Sequence, residues 1–231
     1  MTTPSYPTNE METRTAPAVS AAFLTHAFTW MFAGLLLTAG VAAFVQASTG
    51  LRNWAAENVL WLFLGQLALV IIVSWAISRI SATLALTLFF VYAASLGLVV
   101  GIIVYAYTRQ SVATAFLASS AMFGAAALYG WTTKRSLAGL RGTLFMGLIG
   151  LIVASVVNMF LGASVFGWII SLVGVVIFTA LTAYDVQRIS SGSLVAATGS
   201  VEKAAVYGAL SLYLDFINLF LFLLRLLGGR R

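Results

Sequence analysis

The 231-residue chain is 61% hydrophobic and 8% charged, against roughly 45–50% apolar and about 25% charged in ordinary soluble domains. Twelve basic and six acidic side chains cannot coat a domain of this size, so a water-soluble globule is excluded. The absence of cysteine and the single histidine, His26, exclude disulfides, iron–sulfur clusters and thiolate zinc sites, and leave too few ligands for a zinc enzyme. The net charge of +6 comes from basic residues that are scattered and mostly end apolar runs. They read as topology signals and phospholipid contacts, not as a nucleic-acid surface.

Residues 1–22 hold all three prolines, several Ser and Thr, and Glu10, Glu12 and Arg14. This stretch reads as a disordered polar tail with no secretory-signal pattern, so the first apolar run is expected to stay in the membrane. Residues 23–231 read as one transmembrane domain. Seven apolar segments follow at about 25–48, 57–78, 83–107, 111–132, 138–161, 165–188 and 205–227, each long enough to cross the roughly 30 Å hydrocarbon layer as helix. The joins between the first six are short, which makes successive helices antiparallel neighbours in a compact bundle. Only Ile189 to Ala204, rich in Ser and Gly, is long enough for a mobile loop. Trp54, Trp61, Trp131 and Trp168 fall near segment ends, where an indole keeps its N–H among headgroups.

With the N-terminus inside, Arg14, Arg79, Lys134, Arg135, Arg141, Arg188 and Lys203 lie on the cytoplasmic side and only Arg52 and Arg109 in outer loops. That asymmetry favours N-inside. It leaves Arg230 and Arg231 outside, against the same rule, so a re-entrant last segment stays open as an alternative. Tyr207 to Leu227 is nevertheless long enough to span at about 1.5 Å per residue.

Ionisable groups within a span are costly and usually face the bundle interior or a wet cavity. Asp185 near the inner end of the sixth segment, Asp215 well inside the seventh, and Arg225 near its outer end stand out. At 100° per residue, Gly208, Ser211, Asp215, Asn218, Phe222 and Arg225 share a sector of the seventh segment. A polar stripe cannot face lipid, so this helix should be central. Gly167, Ser171, Gly174, Phe178, Thr182 and Asp185 form a face of mainly small and polar side chains on the sixth segment, which lets the two helices approach. Asp185 and Asp215 can then meet, and two carboxyls in a low-dielectric site cannot both ionise comfortably. A shared proton would make a pH-sensitive latch; equally, a protonated Asp can be simple hydrogen-bond glue between helices. Arg225, Arg79 and Arg109 fit interfacial snorkelling. Asn158 in the fifth segment lines a cavity or bonds across helices. Ser211, Asn218, Thr182 and Asn158 are the candidate pore-lining residues.

The run Ala209-Leu-Ser-Leu-Tyr-Leu-Asp215-Phe-Ile-Asn218-Leu-Phe-Leu-Phe-Leu-Leu-Arg225-Leu-Leu-Gly228, with Tyr184-Asp185-Val-Gln187 before it, resembles the Bax inhibitor-1 family, also called the transmembrane BAX inhibitor motif family. The resemblance covers about residues 23–228. It implies a seven-helix bundle with the last helix central, and a calcium leak that responds to pH through an aspartate pair, here Asp185 and Asp215. It also implies an outer pairing of the last-helix arginine, Arg225, with an acidic residue of helix two. Aligned on Trp75, that position is Gln66, which keeps hydrogen bonding but adds no charge. Arg79 is the local candidate for a family arginine at the inner end of helix two.

The resulting expectation is an all-α membrane protein that acts as a pH-sensitive calcium channel or leak, gated by Asp185 and Asp215. Two carboxylates fall short of the six to eight oxygens calcium prefers, so any site on them is weak and favours passage over storage. No cofactor is expected, and calcium is the permeating species. The chain is read as a non-enzyme, a monomer in the lipid bilayer with no nucleic-acid partner, located in a bacterial inner membrane. An intramembrane aspartyl protease is disfavoured because Ser211-Leu-Tyr-Leu precedes Asp215 in place of the Gly-x-Gly of such enzymes. A non-transport regulator that binds membrane proteases or cell-death factors is the alternative that the resemblance suggests.

Overall fold

The computed structural model describes residues 9–229, with side chains from Phe23 onward. Those residues form α1 (Asn9–Ala47), α2 (Thr49–Glu57), α3 (Val59–Ala76), α4 (Ala82–Tyr105), α5 (Arg109–Thr132), α6 (Arg141–Leu161, preceded by a 3₁₀ turn at Ala138–Leu140), α7 (Ser164–Ser190), α8 (Ser193–Thr198) and α9 (Val201–Leu227). Seven of these helical stretches are long and apolar enough to cross a membrane: Phe23–Ala47 within α1, then α3, α4, α5, Ala138–Leu161, α7 and α9. They match the seven expected segments to within a few residues. The protein is an integral membrane protein built as a helical bundle.

Local chemistry sets the boundaries. Ser48, Ser81, Thr108 and Ser200 precede α2, α4, α5 and α9, and each side chain accepts a hydrogen bond from the backbone N–H three residues on. This satisfies one of the donors that a helix start leaves unpaired. Gly162 closes α6 in the left-handed conformation, at φ 62°.

α9 is the axis of the bundle. Over its most apolar window 56% of it is buried, against 11–39% for the other six spans, and it packs on α7, α1, α5 and α4. Tyr213, fully buried near its middle, fixes it to two neighbours at once. Its hydroxyl lies 2.6 Å from Thr38 Oγ1 of α1, and its ring meets Phe89 and Tyr92 of α4 edge to face at 5.5 and 6.0 Å. α1 in turn lies against α4 at Gly97 and Gly101, where an added Cβ would come within 2.7 Å of Val41 Cβ and Val45 Cβ. That is the small-xxx-small approach of membrane helices. α3 and α6 are peripheral, packing on α4 and α7 respectively, and show most of their large apolar side chains outward.

Three stretches differ from expectation. Residues 1–8 of the polar tail lie outside the described residues, and α1 starts at Asn9. The join after the first span contains α2, which tucks Ala55 fully inside. The long 189–204 connection is not a free loop: Gly192 and Gly199, at φ 71° and 81°, turn it back so that Leu194 and Thr198 of α8 are buried.

Candidate functional site

The polar stripe of α9 faces α7 along its length, as the small-residue face of the sixth segment implied. Gly208 sits against Ile189, and the Phe222 ring lies on Gly174 and 5.9 Å from the ring of Phe178. The Arg225 guanidinium occupies the notch at Gly167, beside Asn158 of α6. Because the two helices are antiparallel, this register puts Asp215 level with the Thr182–Asp185 turn.

Asp215 is 4% exposed, and no N–H or O–H donor among the described residues reaches its Oδ2. Asp185 is partly buried and close enough for the two carboxyls to interact electrostatically; Arg188, one turn further along α7, acts on Asp185. The two aspartates that the sequence singled out thus lie on neighbouring helices, and no hydrogen bond joins them among the described residues. Thr182 is buried beside them and donates to the Phe178 carbonyl at 2.8 Å. Asn218 donates to the Leu214 carbonyl at 2.8 Å, while Ser211 is partly buried on the same face. Asn158 is buried, and its Oδ1 has no donor.

The expected outer pairing is not made. Gln66 is buried on α3 and its Nε2 has no acceptor, whereas Arg225 lies on the α6–α7 side of α9. The physical reason is helix packing: α3 lies on α4 and α2, whereas α9 packs on α7, α1, α5 and α4, and the Arg225 guanidinium fills the space beside Gly167. Arg79 is exposed and stacks on Trp75, its guanidinium carbon 4.5 Å from the ring centroid. It does not face the aspartates.

The chain matches the family model described as inhibitor of apoptosis-promoting Bax1 over residues 20–231. It belongs to the Bax inhibitor family. It is 42% identical over 215 residues to the inner membrane protein YbhL of Escherichia coli K12, covering 90% of this chain and 92% of that one. A Deinococcus radiodurans protein is 42% identical over 209 residues, 90% of each chain, and a Borreliella burgdorferi protein 41% identical over 214, 90% of this chain and 92% of the relative. The Bax inhibitor match spans all seven membrane helices and begins at the end of the polar tail.

Two parts of this Bax inhibitor site are not evident from spacing. Gln187, in the second motif, accepts a hydrogen bond from Leu137 N–H at 2.7 Å and donates to the Arg135 carbonyl at 2.9 Å, clamping the α5–α6 connection to the end of α7 that carries Asp185. The Tyr213–Thr38 bond positions α9 two residues before Asp215. A mid-span tyrosine signals only that its hydroxyl must find some partner. Among the described residues no three His, Cys, Asp or Glu side chains group as metal ligands. The site offers two carboxyls on neighbouring helices, one of them buried with an oxygen that lacks a donor.

Proposed function

We propose that the protein is a calcium-permeable leak whose opening follows pH, with Asp185 and Asp215 as its gate. The observation that carries this reading is Asp215, a buried carboxyl with no donor to its Oδ2 and with Asp185 on the facing helix. A buried carboxylate left in that state is costly. A proton shared between the two carboxyls leaves one charge in place of two and gives the buried oxygen a donor, and its O–H···O bond ties α7 to α9 as a closed gate. When the proton leaves, two like charges face each other in a low-dielectric site and repel. α7 and α9 then part, and the carboxylates attract a divalent cation. Deprotonation opens the path, so flux rises with pH. Arg188 is the one charged group beyond the pair that acts on either aspartate among the described residues.

The distribution of Lys and Arg supports an N-inside orientation, and the printed name of the Escherichia coli relative, an inner membrane protein, supports placement in a bacterial inner membrane. Calcium flux into liposomes holding purified wild type, Asp185→Asn or Asp215→Asn tests the gate. In each variant an amide stands where one carboxyl was, so a second negative charge cannot develop, and the pH response is expected to be lost. Unchanged flux and pH response in both variants would refute it.

A further inference from the structure

α1 and α5 both pack on α9, and they meet where Phe28 and Phe123 stack edge to face, with centroids 6.3 Å apart. Towards the other end of the bundle they diverge. The gap is a groove of about 360 Å³, walled by Leu35, Val100, Phe116, Ile217 and Phe220, with Gln46 and Arg109 also lining it. Gln46 and Arg109 also line a smaller cavity of about 150 Å³. Gln46 lies in the last turn of α1 and Arg109 is the first residue of α5, so the polar end of the groove is at the end of the spans, where lipid headgroups lie.

Two features of Arg109 bear on the groove. It places a cation at the positive end of the α5 dipole, the arrangement that dipole disfavours, and no acid in the first turn of the helix offsets it. It is exposed, and no hydrogen bond, ion pair or ring contact among the described residues engages it. Its guanidinium and the first-turn N–H groups thus add positive potential at one point above an apolar slot. The Gln46 amide donates to the Ala42 carbonyl and brings no charge.

We propose that this groove is a specific site for an anionic phospholipid, with an acyl chain lying between α1 and α5 and the phosphate at Arg109. The slot lies between two spans, so its natural occupant comes from the bilayer. At about 30 Å³ for a water-sized group, 360 Å³ takes about a dozen carbon-sized groups, most of an acyl chain. A zwitterionic headgroup also brings a phosphate, but its own ammonium competes with Arg109, so charge complementarity selects a net anionic lipid.

Native mass spectrometry of the purified full chain tests this, with phosphatidylglycerol and phosphatidylcholine of identical acyl chains as probes. One phosphatidylglycerol per protein is expected to be retained about tenfold better than phosphatidylcholine, Arg109→Gln to lower it to the phosphatidylcholine level, and Ala113→Trp, which fills the groove from the α5 wall, to remove both. Ala39→Phe from the α1 wall is expected to repeat the block, so the outcome does not hang on one variant. Equal retention of the two lipids, phosphatidylglycerol binding unchanged in Arg109→Gln, or unchanged in both groove-filling variants would overturn the proposal. So would inorganic phosphate alone displacing the lipid, since the acyl chain would then contribute nothing.

Discussion

Replacing Thr38 by valine removes a hydroxyl and keeps the shape of the side chain, so it probes polar bonding without opening a cavity. Thr38 Oγ1 lies 2.6 Å from the Tyr213 hydroxyl, 2.9 Å from the Ala93 carbonyl and 3.0 Å from the Gly34 carbonyl. Having one proton, it donates to a carbonyl and accepts from Tyr213. Tyr213 is fully buried, so Thr38→Val strands its hydroxyl, at a cost of about 2 kcal/mol within the usual range of about 1–3 for such a group. Tyr213→Phe leaves Thr38 still bonded to a carbonyl and costs about 1 kcal/mol, the net worth of an ordinary hydrogen bond. The double variant replaces both polar partners by apolar groups, so it regains stability over Thr38→Val alone. In detergent-solubilised protein, at about 2–4 °C per kcal/mol for a chain of this size, Thr38→Val should lower Tm by about 4–8 °C and the double variant by less. A double variant that loses the sum of the two single effects would refute the reasoning, because it would mean that the hydroxyls act independently.

Other consequences follow from single contacts. Gly167→Leu forces a side chain into the space of the Arg225 guanidinium and Asn158, with a loss of about 1–3 kcal/mol typical of overpacking; adding Arg225→Ala should recover part of the lost Tm. Gln187→Leu removes the bonds to Leu137 and Arg135, so hydrogen exchange should accelerate at residues 133–140 while the middle of α7 keeps its protection. Gly101→Leu brings a side chain against Val45 and should separate α1 from α4, read as loss of a folded peak on size exclusion; Gly124→Leu, where an added Cβ meets nothing within 4 Å, should leave that peak intact.

The bundle was legible in the sequence because membrane helices announce themselves through length and hydropathy, and because a stripe running from Gly208 to Arg225 has nowhere to go but inward. The packing of α7 on α9 followed from the same argument, since a small-residue face on the neighbouring segment allows close approach. Arg225 shows what a linear pattern leaves out. Its separation from Gln66 follows from α3 packing on α4 and α2 and not on α9, and a glycine in an apolar run does not say which side chain will fill the space it leaves. Thr38 is similarly silent, because one threonine among many becomes informative only when the crossing of α1 over α9 puts it 2.6 Å from Tyr213. The 189–204 connection misled through composition: Ser and Gly suggest mobility, yet Gly192 and Gly199 serve as left-handed turns that seat Leu194 in the core.

The central claim is that a proton on the Asp185–Asp215 pair closes a calcium path. Calcium flux through purified wild-type protein in liposomes, measured at one acidic and one alkaline pH with the same calcium gradient, tests it most directly. The account requires faster flux at the alkaline pH, falling reversibly when the same liposomes are acidified. Flux equal at both values, or faster at the acidic one, would contradict it.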